Sequence, residues 1–181
     1  MLNSIARSFI KRMEKRYDYD MAYALYLLAK APKAFRVFMR AAALSRHREK
    51  APIEAAFAAQ LFATMYEDCG PCTQLVVRLA EESKMSASQI EAVLTGSLNA
   101  MNSAVALAYR YADAVLNRRT DAADAREAVR AQWGDKGLID LAMSMQGARV
   151  YPMMKHALGF ALECQRVSVQ GRWIEVAKKA A

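Results

Sequence analysis

Over most of this chain, apolar and polar residues recur with the period of an amphipathic α-helix. Val105, Ala108, Ala112 and Val115, for example, follow one another at spacings of three and four residues and share one helical face. Runs rich in Val, Ile and Thr with strict apolar–polar alternation are absent, which argues against strands. Divided at Pro, Gly and capping residues, the pattern predicts helices over about residues 1–16, 20–30, 35–39, 52–66, 69–84, 86–95, 101–116, 121–133 and 135–166.

The chain has 181 residues, of which 7 are Gly and 4 are Pro. This length supports one domain with a sizeable core, and the abundant alanine favours helices. No internal repeat or low-complexity tract is visible in the sequence. We therefore predict an all-α, single-domain, multi-helix bundle.

The formal net charge is +8, and the basic residues concentrate at positions 11–16 and 30–50. Such a charge can attract nucleic acid, an anionic membrane or an acidic partner. No helix-turn-helix spacing, zinc-finger spacing or aromatic ribonucleoprotein motif accompanies it. We therefore expect a solvated helical surface and no nucleic-acid partner.

The predicted helix over residues 1–16 is amphipathic, with Leu2, Ile5, Phe9 and Met13 on one face. Such a helix can lie on a membrane surface, but packing on the domain or on a neighbouring subunit is the favoured interpretation. No apolar run reaches membrane-spanning length, and no small-residue cleavage site follows an apolar block. We therefore expect a cytoplasmic protein.

The strongest chemical signal is the pair Cys69 and Cys72, which encloses Gly70 and Pro71. Two thiols at this spacing can close and reopen a small disulfide ring, so dithiol–disulfide redox chemistry is the first hypothesis. Helix-forming sequence on both sides predicts the pair between two helices, rather than after a strand as in a thioredoxin-like fold. In a cytoplasmic protein such a pair indicates catalysis or metal binding more than a structural disulfide.

The chemistry of the pair depends on what surrounds each thiol. Unpaired N–H groups at a helix N-terminus stabilise a thiolate, so the residues alone favour Cys69 as nucleophile and Cys72 as resolving thiol. Glu67 is a candidate general base beside the pair, although an ionised carboxylate also raises the pKa of a nearby thiol. Glu54, about four helical turns upstream, is a second candidate if the helices fold back on each other.

Metal and cofactor binding have little support. A structural zinc site needs four ligands, and besides the pair only Cys164, His47 and His156 offer sulfur or imidazole, without paired spacing. Cys164 follows apolar helical residues and is predicted to be an inert core residue. Nucleotide-binding and flavin fingerprints are absent, so we expect no cofactor, no metal, and electrons from an external dithiol.

The order of elements resembles that of the alkylhydroperoxidase D-like family, also called the carboxymuconolactone decarboxylase superfamily. A long helix, the Cys-x-x-Cys pair and a further helix are followed by the stretches 85–93 and 106–115, and 138–142 and 156–159 also suit the family. The resemblance covers about residues 32–162. It implies a helical domain over 32–166, an N-terminal amphipathic helical extension over 1–31 and a C-terminal tail over 167–181, where Trp173 and Ile174 suggest docking.

By this resemblance the protein would be an all-α homo-oligomer, a trimer or hexamer, that reduces hydroperoxides or exchanges disulfides. In the antioxidant members the second cysteine attacks the peroxide, which here is Cys72, so both assignments stay open. The family relay adds a Glu about twelve residues before the first Cys and a His four residues after the second. This chain has Phe57 and Val76 at those positions. Lactone decarboxylation is not expected, because members with that activity generally lack the redox pair.

The leading hypothesis is a thiol-dependent oxidoreductase acting on a hydroperoxide or a disulfide, with Cys69, Cys72, Glu67 and Glu54 as its site. It predicts a reversible disulfide and loss of activity when either cysteine is replaced. The alternative is a redox-sensing or small-ligand-binding helical oligomer without peroxidase turnover. It predicts that oxidation changes oligomeric state or partner affinity.

Overall fold

The computed structural model describes residues 2–161 and 166–177. This part of the chain is predominantly α-helical, which confirms the predicted all-α class, and it ends in a small β-hairpin. The elements are α1 Leu2–Tyr17, α2 Ala22–Lys30, α3 Pro32–Met39, α4 Ala42–Arg46, α5 Ile53–Tyr66, α6 Gly70–Glu82, α7 Ala87–Thr95, a 3₁₀ turn Leu98–Ala100, α8 Ser103–Leu116, α9 Ala122–Leu158, β1 Arg166–Val169 and β2 Arg172–Glu175.

Helix α5 lies at the centre of the main core. Every residue from Ala55 to Thr64 is buried, because α8 and α9 pack on it and α6 and α7 close the remaining sides. A helix that is apolar around its whole circumference is stable only when surrounded in this way. The small side chains of α5 let its neighbours approach closely, and the Cys pair follows its C-terminal end.

Two helices begin at capping side chains, of which Ser86 was predicted and Asn102 was not. The Ser86 hydroxyl accepts a hydrogen bond from the Gln89 N–H at 3.4 Å, and the Asn102 side-chain Oδ1 accepts one from the Val105 N–H at 2.9 Å. Helix α9 is interrupted at Gly134, whose φ of 71° is left-handed, as predicted for the break there. The prediction that α9 continues to about residue 166 is wrong, because Gly159 in the left-handed region ends the helix after Leu158.

The C-terminal hairpin was not predicted. Its strands pair antiparallel, with Val167 opposite Ile174, and they lie against α6 and α7. Val167 and Val169 are buried in the main core, while Trp173 remains 67% exposed. The Gln74 side chain also binds the Ser168 backbone through two hydrogen bonds, at 2.7 and 2.9 Å. The core therefore includes residues beyond the predicted boundary at residue 166.

A second apolar cluster joins the N-terminal helices to the rest of the chain. Its buried members are Ile10, Tyr17, Tyr19, Met21, Tyr23, Ala24, Leu27, Leu28, Phe35 and Phe38, with Leu75, Leu79, Tyr151 and Leu158 packed against them. It spans the predicted boundary between residues 31 and 32. Consequently the connection between α1 and α2 lies directly against α6 and α9.

The packing face of α1 differs from the one predicted. Ile5 and Phe9 are 68% and 51% exposed, whereas Ile10 is fully buried and Ala6 and Met13 pack against the second cluster. Helix α1 thus packs on the bundle through a stripe of Ile10, Met13 and Tyr17, which includes only Met13 from the predicted apolar face. No helix within the described ranges combines the length and apolar character that a membrane crossing requires.

Candidate functional site

The cysteine pair lies at a tight junction between α5 and α6, as the sequence predicted. Asp68 has a left-handed φ of 47°, which reverses the chain, and Cys69 is the extended N-cap residue of α6. The Cys69 N–H donates to the carbonyl oxygen of Thr64, and its own carbonyl accepts from the Thr73 N–H at 2.9 Å and the Thr73 hydroxyl at 3.1 Å. The end of one helix and the start of the next thus fix the first cysteine.

Cys69 and Cys72 are joined as a disulfide. Their Cα atoms are 5.3 Å apart, within the usual range for a disulfide. The change between the disulfide and the reduced dithiol form therefore needs no large backbone movement. Cys69 is fully buried and Cys72 is 3% exposed. Cys72 lines an inner cavity of about 70 Å³, whereas Cys69 is not part of its wall. The two sulfurs therefore differ in access to small molecules.

A tyrosine and a buried lysine lie beside Cys72. The Tyr19 hydroxyl is 3.7 Å from the Cys72 Sγ, and because a disulfide sulfur has no proton, the hydroxyl is the donor. The Lys155 ammonium lies 4.2 Å from the centre of the Tyr19 ring and donates to the Asp20 carbonyl oxygen at 3.1 Å. Lys155 is 1% exposed, a rare state for a lysine.

Burial shifts the acid–base properties of these groups. It raises the pKa of Tyr19 well above its ordinary value, and Tyr23 adds to this effect, so the hydroxyl keeps its proton at neutral pH. Burial also lowers the pKa of Lys155 to about 8, with the Asp20 carboxylate acting in the opposite direction. At neutral pH the site therefore contains a hydrogen-bond donor and a buried positive charge.

Neither Tyr19 nor Lys155 was predicted as a site residue, although the position of Lys155 is unusual in the sequence. Leu141, Met145, Ala148, Pro152 and Lys155 follow at spacings of four and three, so the lysine stands in a core stripe of α9. A lysine at a core position is an anomaly that can be read from the sequence. Tyr19 has no comparable signal, because its contact to Cys72 joins residues 53 positions apart.

The structure places the two predicted glutamates differently. Glu67 follows α5 directly, and its Oε1 accepts hydrogen bonds from Arg149 at 2.6 Å from Nε and 2.5 Å from Nη2. Its carbonyl oxygen also accepts from the His156 Nε2 at 2.7 Å. These contacts tie the cysteine junction to α9. We therefore assign Glu67 a positioning role, because its carboxylate is already engaged by a guanidinium.

Glu54 is not brought to the cysteine pair. It lies in the first turn of α5, and its Oε1 accepts from the Asn102 amide at 3.1 Å. The cysteines follow the other end of this helix, so about 18 Å of helix axis separates the two. Glu54 joins α5 to the start of α8 instead.

A larger outer chamber of about 280 Å³ lies next to the inner cavity, between α4, α5, α6 and α9. Ser45, Gln60 and Leu79 line both spaces and mark their junction. Phe57 lies in the wall of the outer chamber and Val76 in the wall of the inner cavity. Positions 57 and 76, where the family resemblance would place a Glu and a His, therefore line these two spaces with apolar side chains.

A buried aspartate fixes the loop that borders the outer chamber. Asp140 is completely buried, and its Oδ2 accepts the N–H groups of Glu49, Lys50 and Ala51 at 2.7–2.9 Å. Burial raises the pKa of Asp140, but the three backbone N–H groups and nearby His47 outweigh it and hold the pKa below its ordinary value. The carboxylate thus stabilises the fold while ionised.

We expect Asp140→Asn to lower the free energy of unfolding by about 2 kcal/mol at pH 7, because charge-assisted bonds to buried N–H groups are lost. Urea unfolding measures this. The contribution is present above the ordinary pKa of about 3.9 and is lost as pH falls through the lower folded pKa, so the difference should shrink on acidification. Asp124→Asn, at an exposed position of α9, is the control, with a change within about 0.5 kcal/mol. Equal losses in both variants would contradict the assignment.

Comparison with known proteins found no match for this chain among protein-family models, curated proteins or solved structures. Within the described ranges, no three His, Cys, Asp or Glu side chains are grouped so that they could hold a metal ion.

Proposed function

We propose that this protein is a thiol-dependent oxidoreductase that reduces small hydroperoxides with the Cys69–Cys72 pair. One observation carries the proposal: Cys72 lines a cavity and its Sγ lies 3.7 Å from the Tyr19 hydroxyl, while Cys69 is fully buried and does not line that cavity. This arrangement gives one sulfur for attack and one for resolution. It favours Cys72 as the attacking thiol, although Cys69 is the N-cap residue.

The burial of both sulfurs favours a hydroperoxide over a protein disulfide as substrate. Thiol–disulfide exchange requires the incoming sulfur to reach the attacked sulfur directly, and a folded protein cannot enter a cavity of about 70 Å³. A peroxide oxygen at the end of a small molecule can. The same restriction suits a small dithiol as the reductant of the disulfide.

The reaction follows from two thiols and one peroxide. The Cys72 thiolate attacks the terminal peroxide oxygen, the O–O bond breaks, and the departing alkoxide takes a proton to become an alcohol. Cys72 is then a sulfenic acid. The Cys69 thiol attacks its sulfur, the S–O bond breaks, and hydroxide leaves as water with the thiol proton. An external dithiol reduces the disulfide by two exchange steps and is itself oxidised to a disulfide.

Tyr19 and Lys155 take the place of the absent relay in this proposal. The Tyr19 hydroxyl, protonated at neutral pH, donates a hydrogen bond to the Cys72 thiolate and stabilises it. The buried ammonium of Lys155 adds positive charge where solvent screens little. Both effects lower the pKa of the Cys72 thiol and increase the fraction of thiolate.

The proposal includes the alkylhydroperoxidase D-like type and a homo-oligomer, a trimer or hexamer. Support for the type comes from the pair at a helix–helix junction and from positions 57 and 76, which line the two spaces beside it. Sedimentation or light scattering measures the oligomeric state directly.

Brief mixing of reduced protein with a small excess of cumene hydroperoxide, followed by thiol trapping and peptide mass analysis, tests the function. We expect fast loss of two hydrogens from the peptide that contains Cys69 and Cys72. The third cysteine, Cys164, lies outside the described residues; it should stay reduced, be alkylated in the trapping step, and so serve as the internal control. If the pair stays reduced with hydroperoxide, the peroxidase function is wrong and redox sensing through the same pair becomes the better explanation.

A further inference from the structure

The outer chamber shares a wall with the cavity that Cys72 lines, and it has the size of a small ligand. Its volume of about 280 Å³ lies just below the range of about 300–1,000 Å³ typical of sites for drug-sized ligands. Ala56, Phe57 and Leu79 give it an apolar wall, and Ile53 adds an exposed apolar rim. An organic body of roughly a dozen heavy atoms therefore suits this space.

The mouth of the chamber carries uncompensated positive charge. Arg46 and Arg48 both line it. Arg46 donates a hydrogen bond to the backbone carbonyl of Ala42 at 3.2 Å, and Arg48 donates one to that of Ala51 at 3.4 Å. Among the described residues neither guanidinium has a carboxylate within ion-pairing distance. Two arginines at the entrance to an apolar chamber suit a carboxylate, which the guanidinium group binds through paired hydrogen bonds.

The acidic residue that also lines the chamber does not cancel this charge. The Glu82 carboxylate accepts hydrogen bonds from Arg16 at 2.9 and 3.2 Å and from the Tyr17 hydroxyl at 3.0 Å. Its charge is therefore matched by an arginine outside the chamber. The positive charges of Arg46 and Arg48 therefore remain uncompensated at the mouth of the chamber.

An unsatisfied hydroxyl gives a second indication that the chamber binds a polar ligand. Ser144 is completely buried, lines the chamber, and its Oγ has no hydrogen-bond partner among the described residues. Buried hydroxyls in proteins are normally hydrogen-bonded, so such a group calls for a partner. Farther in, Gln60 borders both spaces, and its amide donates to the Ser45 carbonyl at 3.0 Å.

From this geometry we propose that the outer chamber binds small organic carboxylates and so selects hydroperoxides that carry a carboxylate. The apolar body lies along α5 and α6, the carboxylate meets Arg46 and Arg48, and the peroxide end points past Gln60 to Cys72. The selection of a substrate rests on the proposed peroxidase function. The binding of a carboxylate does not.

Calorimetry with para-isopropylbenzoate, which carries no peroxide, tests the binding site by itself. We expect the wild type to bind this anion at least about tenfold more tightly than the neutral para-isopropylbenzamide, because charge-assisted hydrogen bonds are lost in the amide. The double variant Arg46→Gln with Arg48→Gln should lose this preference. Arg110→Gln, at an exposed position of α8 outside both spaces, should keep it.

Turnover of para-carboxycumene hydroperoxide against cumene hydroperoxide then tests the selection. We expect kcat/KM to favour the carboxylated substrate about tenfold in the wild type and in Arg110→Gln, but not in the double variant. Equal binding of the anion and the amide would overturn the binding site, and an undiminished preference in the double variant would overturn its assignment to these arginines. Charge-selective binding without turnover of either hydroperoxide would instead refute the proposed function and, with it, the selection of a substrate.

Discussion

Replacing Cys72 by serine is expected to lower kcat/KM for hydroperoxide reduction by roughly a thousandfold or more. A serine hydroxyl stays protonated at neutral pH and is a far weaker nucleophile than a thiolate. No neighbouring group can compensate, because the other thiol, Cys69, is fully buried and is not part of the cavity wall. A coupled assay with excess dithiothreitol measures the rate, and cumene hydroperoxide serves as the substrate.

Cys69→Ser separates the two roles of the pair. Here Cys72 should still react once with the peroxide, and a sulfenic acid should accumulate because no resolving thiol is present. Dimedone labelling at Cys72 identifies this product. Cys164→Ser is the matched control and should retain turnover, as expected for a residue predicted to be inert. A sulfenic acid at Cys69 in the Cys72→Ser protein would reverse the roles, and turnover by a protein lacking both cysteines would exclude the proposal.

The sequence predicted the elements that are held by local interactions. The 3.6-residue period in α8, the Ser86 cap and the break at Gly134 each depend on neighbours within a few positions, and the structure has all three. The position of Cys69 and Cys72 between two helices also followed from local sequence. The redox pair could therefore be located without knowledge of the fold.

The surroundings of the pair could not be predicted, because they come from distant segments. Lys155 reaches the Asp20 carbonyl across 135 positions, and Tyr19 reaches Cys72 across 53. Tyr19 lies in the N-terminal segment that the resemblance did not cover. Glu54 was suggested for the same reason, because the sequence does not show how distant segments are arranged. In the structure, Glu54 and the cysteine pair lie at opposite ends of α5.

The hairpin and the packing face of α1 were missed for a different physical reason. Each strand has only four residues, and their pairing is stabilised by burial of Val167 and Val169 against α6 and α7 rather than by strong alternation. On α1, two competing apolar stripes exist, and the burial of Ile10 decides between them. Tertiary contacts thus determined both features.

Replacing Lys155 by methionine is expected to stabilise the protein and slow its chemistry. Burial lowers the pKa of Lys155 from its ordinary 10.5 to about 8, so the unfolded chain binds the proton more tightly than the folded one. At pH 7 this lowering of the pKa corresponds to a loss of about 3 kcal/mol in the free energy of unfolding. The cation–π contacts and the bond to Asp20 are lost with the lysine, so we expect a net gain of about 2 kcal/mol in the free energy of unfolding.

The pH dependence identifies the cause of this gain. Between about pH 8 and 10.5 the unfolded state holds the proton that the folded state has released, so wild-type stability rises with pH and the advantage of Lys155→Met disappears. Urea unfolding of the disulfide form at pH 7 and pH 10 measures this without interference from titrating thiols at Cys69 and Cys72. A difference independent of pH would show that packing, not the buried charge, is responsible.

The expected loss of reactivity then distinguishes a functional lysine from a structural one. Without the buried charge, a smaller fraction of the Cys72 thiol should be ionised at pH 7, so its oxidation by cumene hydroperoxide at that pH should slow about tenfold. Thiolate absorbance against pH gives the pKa. Tyr19→Phe is the matched variant: it removes the hydrogen bond to Cys72 and should also raise this thiol pKa, but it leaves Lys155 buried and brings no gain in stability. A Lys155→Met protein that reacts as fast as wild type would refute the role of this charge, because removal of the ammonium would then leave the chemistry of Cys72 unchanged.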